Sequence, residues 1–250
     1  MTDGVARWPA EEEGLPRTGR EREGTWVSPG YRSSRVRARV VAVILAAIVI
    51  ADLLAIWLDL RGVVLMGDAE AGTLTEETAL AFDQLYAVVG LLQTGLLGVS
   101  AIAFLAWLSR VVDNVPPLTG RTPQRGPRAA IGWWFVPVAW VVMPFVIVAD
   151  TARRLRPASD GMGVLLPAWW ALWLASSILG VLLVRLPTDT IDELRTAYLS
   201  IAGADLLDAV AALLLIAVVW RFERWSRARA AHLETDAIAL PPTDPEEREG

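Results

Sequence analysis

The sequence predicts an all-α integral membrane protein with four transmembrane helices plus a proline-broken re-entrant or in-plane helix. Three observations lead to this prediction. Apolar residues make up 54% of the 250 residues, and the mean hydropathy is +0.42, which argues against a soluble domain. Long apolar segments lie between polar ends. Arginine, the only basic residue besides one histidine, is divided unequally among the intervening loops.

The chain divides into three regions by composition. Residues 1–39 are rich in Gly, Pro, Glu and Arg and have no apolar period, so we expect a disordered N-terminal tail. Residues 40–229 form the predicted membrane helical domain. Residues 230–250 are mainly acidic and polar, which predicts a second disordered tail.

The predicted membrane domain contains five apolar segments, each close to the ~20 residues that cross ~30 Å of hydrocarbon as a helix. They are apolar on all sides and lack the alternation of barrel strands. Six tryptophans near their ends are interpreted as interfacial anchors: Trp57, Trp107, Trp133, Trp134, Trp220 and Trp225. The segments cover residues 40–58, 82–108, 131–149, 163–186 and 198–220.

The distribution of arginine predicts the topology. If all five segments span, with the N-terminus inside, Arg divides 10 to 8 between the two sides. If residues 131–149 return to their own side, the division becomes 15 to 3, which the positive-inside rule favours. Pro137 and Pro144 lie in that segment, and each removes a helical hydrogen bond. We therefore predict four spans with both termini cytoplasmic; five transmembrane helices are the alternative.

Two motifs flank the loop before the third segment. The second segment ends in W-L-x-R-x-x-x-N, and the third begins W-F-x-P, followed by a second Pro and an acidic residue. Over residues 40–229 the chain resembles an actinobacterial membrane family known only as a domain of unknown function. Trp140 departs from the family pattern, which usually has Asn there. The resemblance implies a bacterial inner-membrane protein and no particular activity. Its motif residues are Trp107, Arg110, Asn114, Trp134, Phe135, Pro137, Pro144 and Asp150.

A small group of polar residues lies within the apolar segments. Asp52, Asp205 and Asp208 each cost about 2.5–3.5 kcal/mol at a helix centre. Helical rise places Asp52 and Asp205 at a similar depth, with Gln93 near them. One interpretation is a polar cavity for a proton, a cation or a small solute. The other is interhelical hydrogen bonding, with one Asp protonated or paired to Arg185.

The remaining signals concern partners. The loop that contains Arg121, Arg125 and Arg128 predicts contacts with anionic lipid headgroups, or it serves only as a topology signal. The lipid bilayer and unidentified proteins are the expected partners. No feature of the sequence predicts nucleic-acid binding.

Residue types exclude several kinds of chemistry. There is no Cys, and the single His, His232, lies in a polar stretch, so thiol, Cys-zinc and His-based sites are not expected. No phosphate-loop motif and no catalytic constellation is present, so we predict neither an enzyme nor a cofactor. The preferred function is a non-enzymatic scaffold or partner-recruiting membrane protein. The alternative is a small transporter or channel-like protein that uses the intramembrane Asp residues.

Overall fold

The computed structural model describes residues 30–160 and 162–239, with side chains as far as Thr235. Within these residues the chain is helical and contains no strand. Two short 3-10 turns, Trp133–Phe135 and Ala139–Val141, separate the fourth and fifth helices. The α-helices are α1 (Arg35–Glu70), α2 (Glu76–Asp113), α3 (Val115–Thr119), α4 (Pro127–Gly132), α5 (Met143–Leu155), α6 (Leu165–Leu183) and α7 (Ile191–Ala239).

Four of these helices, α1, α2, α6 and α7, are long and apolar enough to cross a membrane. This confirms the predicted fold class. Helices α1, α2 and α7 contain no proline, so their hydrogen-bond ladders run without interruption. The start of α2 is capped by Thr75, whose Oγ1 accepts from the Thr78 N–H, and Glu76 and Glu77 complement the helix dipole.

The four long helices form a bundle with two chemically different ends. Helices α1 and α7 pack together at its centre, α2 packs on α1, and α6 packs on α7. At the end where α1 begins, Ser34 Oγ donates to the Glu223 carboxylate of α7. At the opposite end, Glu70 of α1 lies 2.9 Å from Arg195 of α7. We call the first the basic end, because α1 begins, α2 ends and α6 begins there among most of the arginines, and the second the acidic end.

The third apolar segment does not form a long helix. Helix α4 ends at Gly132 and α5 has only 13 residues, too few to span. Pro137 lies in the break, beside Val138 with a φ of 65°, unusual for a β-branched residue. Pro144, expected to break a helix, instead lies in the first turn of α5, where proline is tolerated. The segment enters and leaves at the basic end, so the five-span alternative is wrong.

Both ends of the helical domain extend further than predicted. Helix α1 begins at Arg35, and α7 continues to Ala239. Asn114 explains the early start, because its Nδ2 donates to the Arg32 carbonyl at 2.9 Å and its Oδ1 accepts from the Arg32 N–H at 3.2 Å. This pairing holds the polar stretch before α1 against the end of α2. The rest of the predicted tails, residues 1–29 and 240–250, lies outside the described residues.

Two tryptophans predicted as interfacial anchors belong instead to the core at the basic end. Trp107 and Trp225 are fully buried. The Trp107 indole donates to Glu223 at 3.4 Å, and that of Trp225 donates to Asp160 at 2.6 Å. Since each buried N–H finds a carboxylate, burial costs no hydrogen bond. The other predicted anchors are partly or largely exposed.

Candidate functional site

One amide joins three helices inside the bundle. Gln93 of α2 donates through Nε2 to Oδ1 of Asp52 in α1 at 3.0 Å and to Oδ1 of Asp205 in α7 at 3.4 Å. The Asp52 side chain lies in the interior, with 3% of the residue exposed. The structure thus brings together three polar residues from different apolar segments.

Asp208 lies one helical turn beyond Asp205, towards the basic end. Its Oδ1 accepts a hydrogen bond of 3.2 Å from Ser176 Oγ, which links α7 to α6. Asp205 itself shares the Gln93 amide with Asp52. The two carboxyl groups of α7 therefore connect polar side chains on the other three long helices.

Asp59 extends this group towards the acidic end, although the first predicted segment stopped at residue 58. It follows Asp52 by two turns of α1 and is 1% exposed. Tyr86 Oη donates to Asp59 Oδ1 at 2.9 Å, and Tyr86 packs edge-on against Tyr198. The seven-residue spacing from Asp52 was the signal that could have identified it. We call Asp59, Asp52, Asp205 and Asp208 the carboxyl row.

The carboxyl row has no cationic partner among the described residues. Its hydrogen-bond donors are an amide, a phenol and a hydroxyl. Arg185, predicted as a partner, is exposed just beyond α6 and is not brought to the row. Oδ2 of both Asp52 and Asp59 is buried without a hydrogen-bond partner. Because an ionised carboxylate is costly to bury without a counter-charge, a bound proton or a cation would favour the burial of Asp52 and Asp59.

A cavity of about 410 Å³ adjoins the carboxyl row on its basic-end side. Residues of α1, α2, α6 and α7 line it, together with residues of the loop around Pro137, residues 133–142. Asp208 lies in the wall, while Leu97 and Phe135, both more than half exposed, stand at the rim. We call it the aromatic cavity, after Phe104, Trp134, Phe135, Trp140, Trp169 and Trp173.

The tryptophans of this wall hold one another in place. The ring of Trp173 lies 5.6 Å from that of Trp134 and 5.8 Å from that of Trp140, both in edge-on contacts. Trp170 packs 4.9 Å from Trp173 and donates its indole N–H to the Val141 carbonyl at 3.1 Å. These contacts fix the loop against α6, so the wall is formed before any ligand arrives.

Sequence reasoning missed this cavity. It interpreted Trp134 as an interfacial anchor and noted Trp140 only as a departure from the family pattern. The available signal was the four-residue spacing of Trp169 and Trp173, which places both rings on one face of α6.

The family-motif residues have two kinds of surroundings. Trp134 and Phe135 line the aromatic cavity. Arg110 pairs with Asp113 at 3.6 Å at the end of α2. Asp150 accepts from Arg154 Nε at 2.8 Å and from Arg153 at 3.4 Å. Burial alone would raise the pKa of Asp150, but the hydrogen bond and charge of Arg154 outweigh it and lower the pKa below its ordinary value.

Asp160 provides a second paired carboxylate at the basic end. It accepts from Arg221 at 3.1 Å and from the indole of Trp225, which ties the loop before α6 to α7. Partial burial acts to raise the pKa of Asp160, but these hydrogen bonds and the Arg221 charge lower it.

The three loop arginines predicted to contact lipid headgroups lie apart from one another. Arg125 stacks 5.6 Å from the centre of the Trp133 ring, while Arg121 is exposed. Arg128 borders a groove of about 530 Å³ together with Arg37 and Arg110. Headgroup binding by these side chains stays a prediction. Among the described residues, no group of three or more His, Asp or Glu side chains is arranged to hold a metal ion.

Comparison with known families gives one match. A family described as Domain of unknown function (DUF4328) matches residues 70–224. The matched region contains Gln93, Asp205, Asp208 and the loop around Pro137, whereas α1 lies almost entirely before it, so the family match is shorter than the predicted resemblance. No curated protein and no solved structure matches the chain.

Proposed function

This chain belongs to the DUF4328 family, whose description names no activity, and we propose from its own geometry that it transports a solute across a membrane in exchange for protons or cations. The observation that carries the proposal is the Gln93 amide shared by the buried Asp52 and the partly buried Asp205, two carboxyl groups that have no arginine partner among the described residues. Intramembrane ionisable groups of this kind mark ion pathways and proton relays in membrane proteins.

The carboxyl row and the aromatic cavity are placed so that each affects the other. Asp208 belongs to both, and it lies one helical turn from Asp205 on α7. In an interior of low dielectric constant, the charge of one carboxyl group strongly affects its neighbours. Binding in the cavity and exchange of a proton or cation on the row are then thermodynamically linked, which is the requirement for coupled transport.

Transport is tested in proteoliposomes that contain a pH-sensitive dye, with a panel of solutes added outside. We expect solute-dependent proton movement with the wild-type protein. Asp205→Asn keeps the shape of the side chain and an acceptor for Gln93 but cannot exchange a proton, so flux should fall at least tenfold. The matched control is Asp192→Asn, at a carboxyl group that is 86% exposed and pairs with Arg195. Equal flux in both variants would show that the carboxyl row has no role in transport.

We further propose that the protein lies in a bacterial inner membrane with the basic end and both termini in the cytoplasm. The support is the concentration of arginine at that end. The natural absence of Cys allows single Cys residues at Ala158 and Thr188 to be labelled in intact cells with an impermeant maleimide. Labelling is expected at 188 only. Labelling at 158 with protection at 188 would show that the protein has the opposite orientation.

Helix α7 supports a second function, the recruitment of a cytoplasmic partner. Its 49 residues measure about 73 Å, more than twice the hydrocarbon thickness. Its last part projects from the basic end, with Leu233 44% exposed. A photocrosslinker at 233 should give a discrete protein adduct that the same probe at the exposed Ile50 does not. Identical products at both positions would count against recruitment.

A further inference from the structure

We propose that the aromatic cavity binds a hydrophobic organic cation, with Asp208 as its counter-charge. This inference rests on the proposed function only in identifying the bound cation with the transported solute. The binding itself can be measured without transport.

The wall of the cavity has the chemistry that attracts such a cation. Six aromatic side chains line it, four of them tryptophans, whose ring faces attract cations more strongly than those of Tyr or Phe. Aromatic cages of this kind recognise quaternary ammonium groups. The remaining wall is aliphatic apart from Ser100, Ser177 and Asp208, so it also suits apolar substituents.

Asp208 supplies the charge that selects among hydrophobic ligands. Among the residues that the structure describes, no arginine lines the cavity, and Asp208 is the one charged side chain in its wall. The Ser176 hydroxyl holds its Oδ1 at 3.2 Å and so fixes the carboxyl group in the wall. An anion would be repelled by Asp208. A lipid chain would fill the volume but would make no use of the Asp208 charge, because the carboxyl group would then have to carry a proton.

The dimensions and position of the cavity agree with this ligand class. Its volume of about 410 Å³ lies within the range of ~300–1,000 Å³ for small-molecule sites. The exposed rim residues Leu97 and Phe135 lie within or beside apolar segments that face the lipid, so a ligand that partitions into the bilayer can approach from the side.

The test is calorimetric titration of the purified full chain in detergent with tetraphenylphosphonium. The comparison ligands are tetraphenylborate, an anion of the same shape, and neutral triphenylphosphine oxide. We expect the wild-type protein to bind the cation and to discriminate against the other two. Asp208→Asn should weaken cation binding at least tenfold, because it removes the counter-charge in a low-dielectric site. Asp208→Glu, which restores the charge, should retain most of the affinity.

Two further variants separate ligand recognition from folding and from transport. Asp150→Asn makes the same chemical change at the Arg-paired site and should leave cation binding unchanged. Trp173→Leu should weaken cation binding several-fold, since it removes a central ring of the wall. Monodispersity and circular dichroism establish that each variant is folded.

Three results would overturn the inference: no cation binding by folded wild-type protein, equal affinity in wild type and Asp208→Asn, or equal binding of the cation and the neutral analogue. The last result identifies an apolar pocket for lipid chains. These outcomes are distinct from failure of the proposed function, in which Asp208-dependent binding is present but Asp205→Asn leaves proton flux unchanged.

Discussion

Asp150 and Asp160, at the basic end of the bundle, have surroundings opposite to those of the carboxyl row within it. Asp150 and Asp160 each lie within 3.1 Å of an arginine nitrogen, and the pKa of each is lowered. The carboxyl row receives hydrogen bonds only from neutral side chains in the described part of the chain. The paired groups hold a fixed negative charge that ties the short helices and loops to the bundle. In the proposed function, the unpaired groups exchange a proton or a cation.

The paired carboxyl groups and those of the carboxyl row therefore differ in what they contribute to stability. Partly exposed ion pairs contribute up to about 1 kcal/mol each, so pairing suits structural positions. Each intramembrane carboxyl group instead carries a cost of about 2.5–3.5 kcal/mol on insertion scales, and no arginine offsets it. Apolar side chains would insert more easily at these positions. The presence of four such groups on α1 and α7 therefore favours a functional role for them.

The largest effect on stability is expected from removing the shared donor of the carboxyl row. Gln93→Leu leaves one oxygen each of Asp52 and Asp205 without a hydrogen bond, which should lower the free energy of unfolding by about 1–3 kcal/mol. Thr94→Val is the control, because Thr94 is exposed and bonds only to the Gly90 carbonyl of its own helix. Denaturation by SDS titration measures both. Equal stability of the two variants would show that the Gln93 bridge contributes nothing.

A smaller effect is expected at the basic end, where two arginines share the Asp150 carboxylate. Arg154 lies at 2.8 Å with its side chain 20% exposed, and Arg153 at 3.4 Å with its side chain 62% exposed. Arg154→Ala should cost about 1 kcal/mol of unfolding free energy, and Arg153→Ala less than about 0.5 kcal/mol. The same SDS titration measures which of the two variants loses more stability. A larger loss from Arg153→Ala would contradict the interpretation of this pairing.

The smallest effect concerns acid pH. Because folding lowers the pKa of Asp160, its pairing stabilises the protein above the ordinary pKa of an Asp and loses this contribution as the pH falls below about 4. Wild type should therefore melt slightly above Asp160→Asn at pH 7, by less than about 1 kcal/mol in stability, since the pair is partly exposed. The difference between the two melting curves should shrink as the pH falls below about 4. If the difference in melting between wild type and Asp160→Asn instead grows as the pH falls, the pKa of Asp160 is not lowered by folding.

The sequence alone predicts the bundle because spanning helices are encoded by local hydropathy and the broken segment by proline and arginine. Helical rise also converts sequence spacing into depth, so Asp52, Gln93 and Asp205 could be placed at one level without a structure. The segment boundary drawn at residue 58 hid Asp59, since α1 continues as a helix well beyond the apolar run. Hydropathy marks where lipid begins, but it does not mark where a helix ends.

Tertiary packing determines the remaining features. The aromatic cavity combines Phe104 of α2, Trp134 of the proline-broken loop and Trp173 of α6, which are far apart in the chain. A tryptophan at a segment end has the same sequence signature whether it faces headgroups or a neighbouring ring. The same ambiguity affects Trp107 and Trp225. The carboxylates that accept their N–H groups lie on elements distant in sequence, so the sequence around each tryptophan does not show that it is buried.

The most direct test is to make the same substitution at both kinds of carboxyl group and to measure flux and stability on the same preparations. Asp205→Asn is expected to lose proton flux at least tenfold while its unfolding free energy changes by less than about 1 kcal/mol. Asp150→Asn is expected to lose about 1 kcal/mol of stability and to keep wild-type flux. If Asp205→Asn instead retains flux and loses as much stability as Asp150→Asn, the carboxyl row is structural and the proposed exchange does not occur.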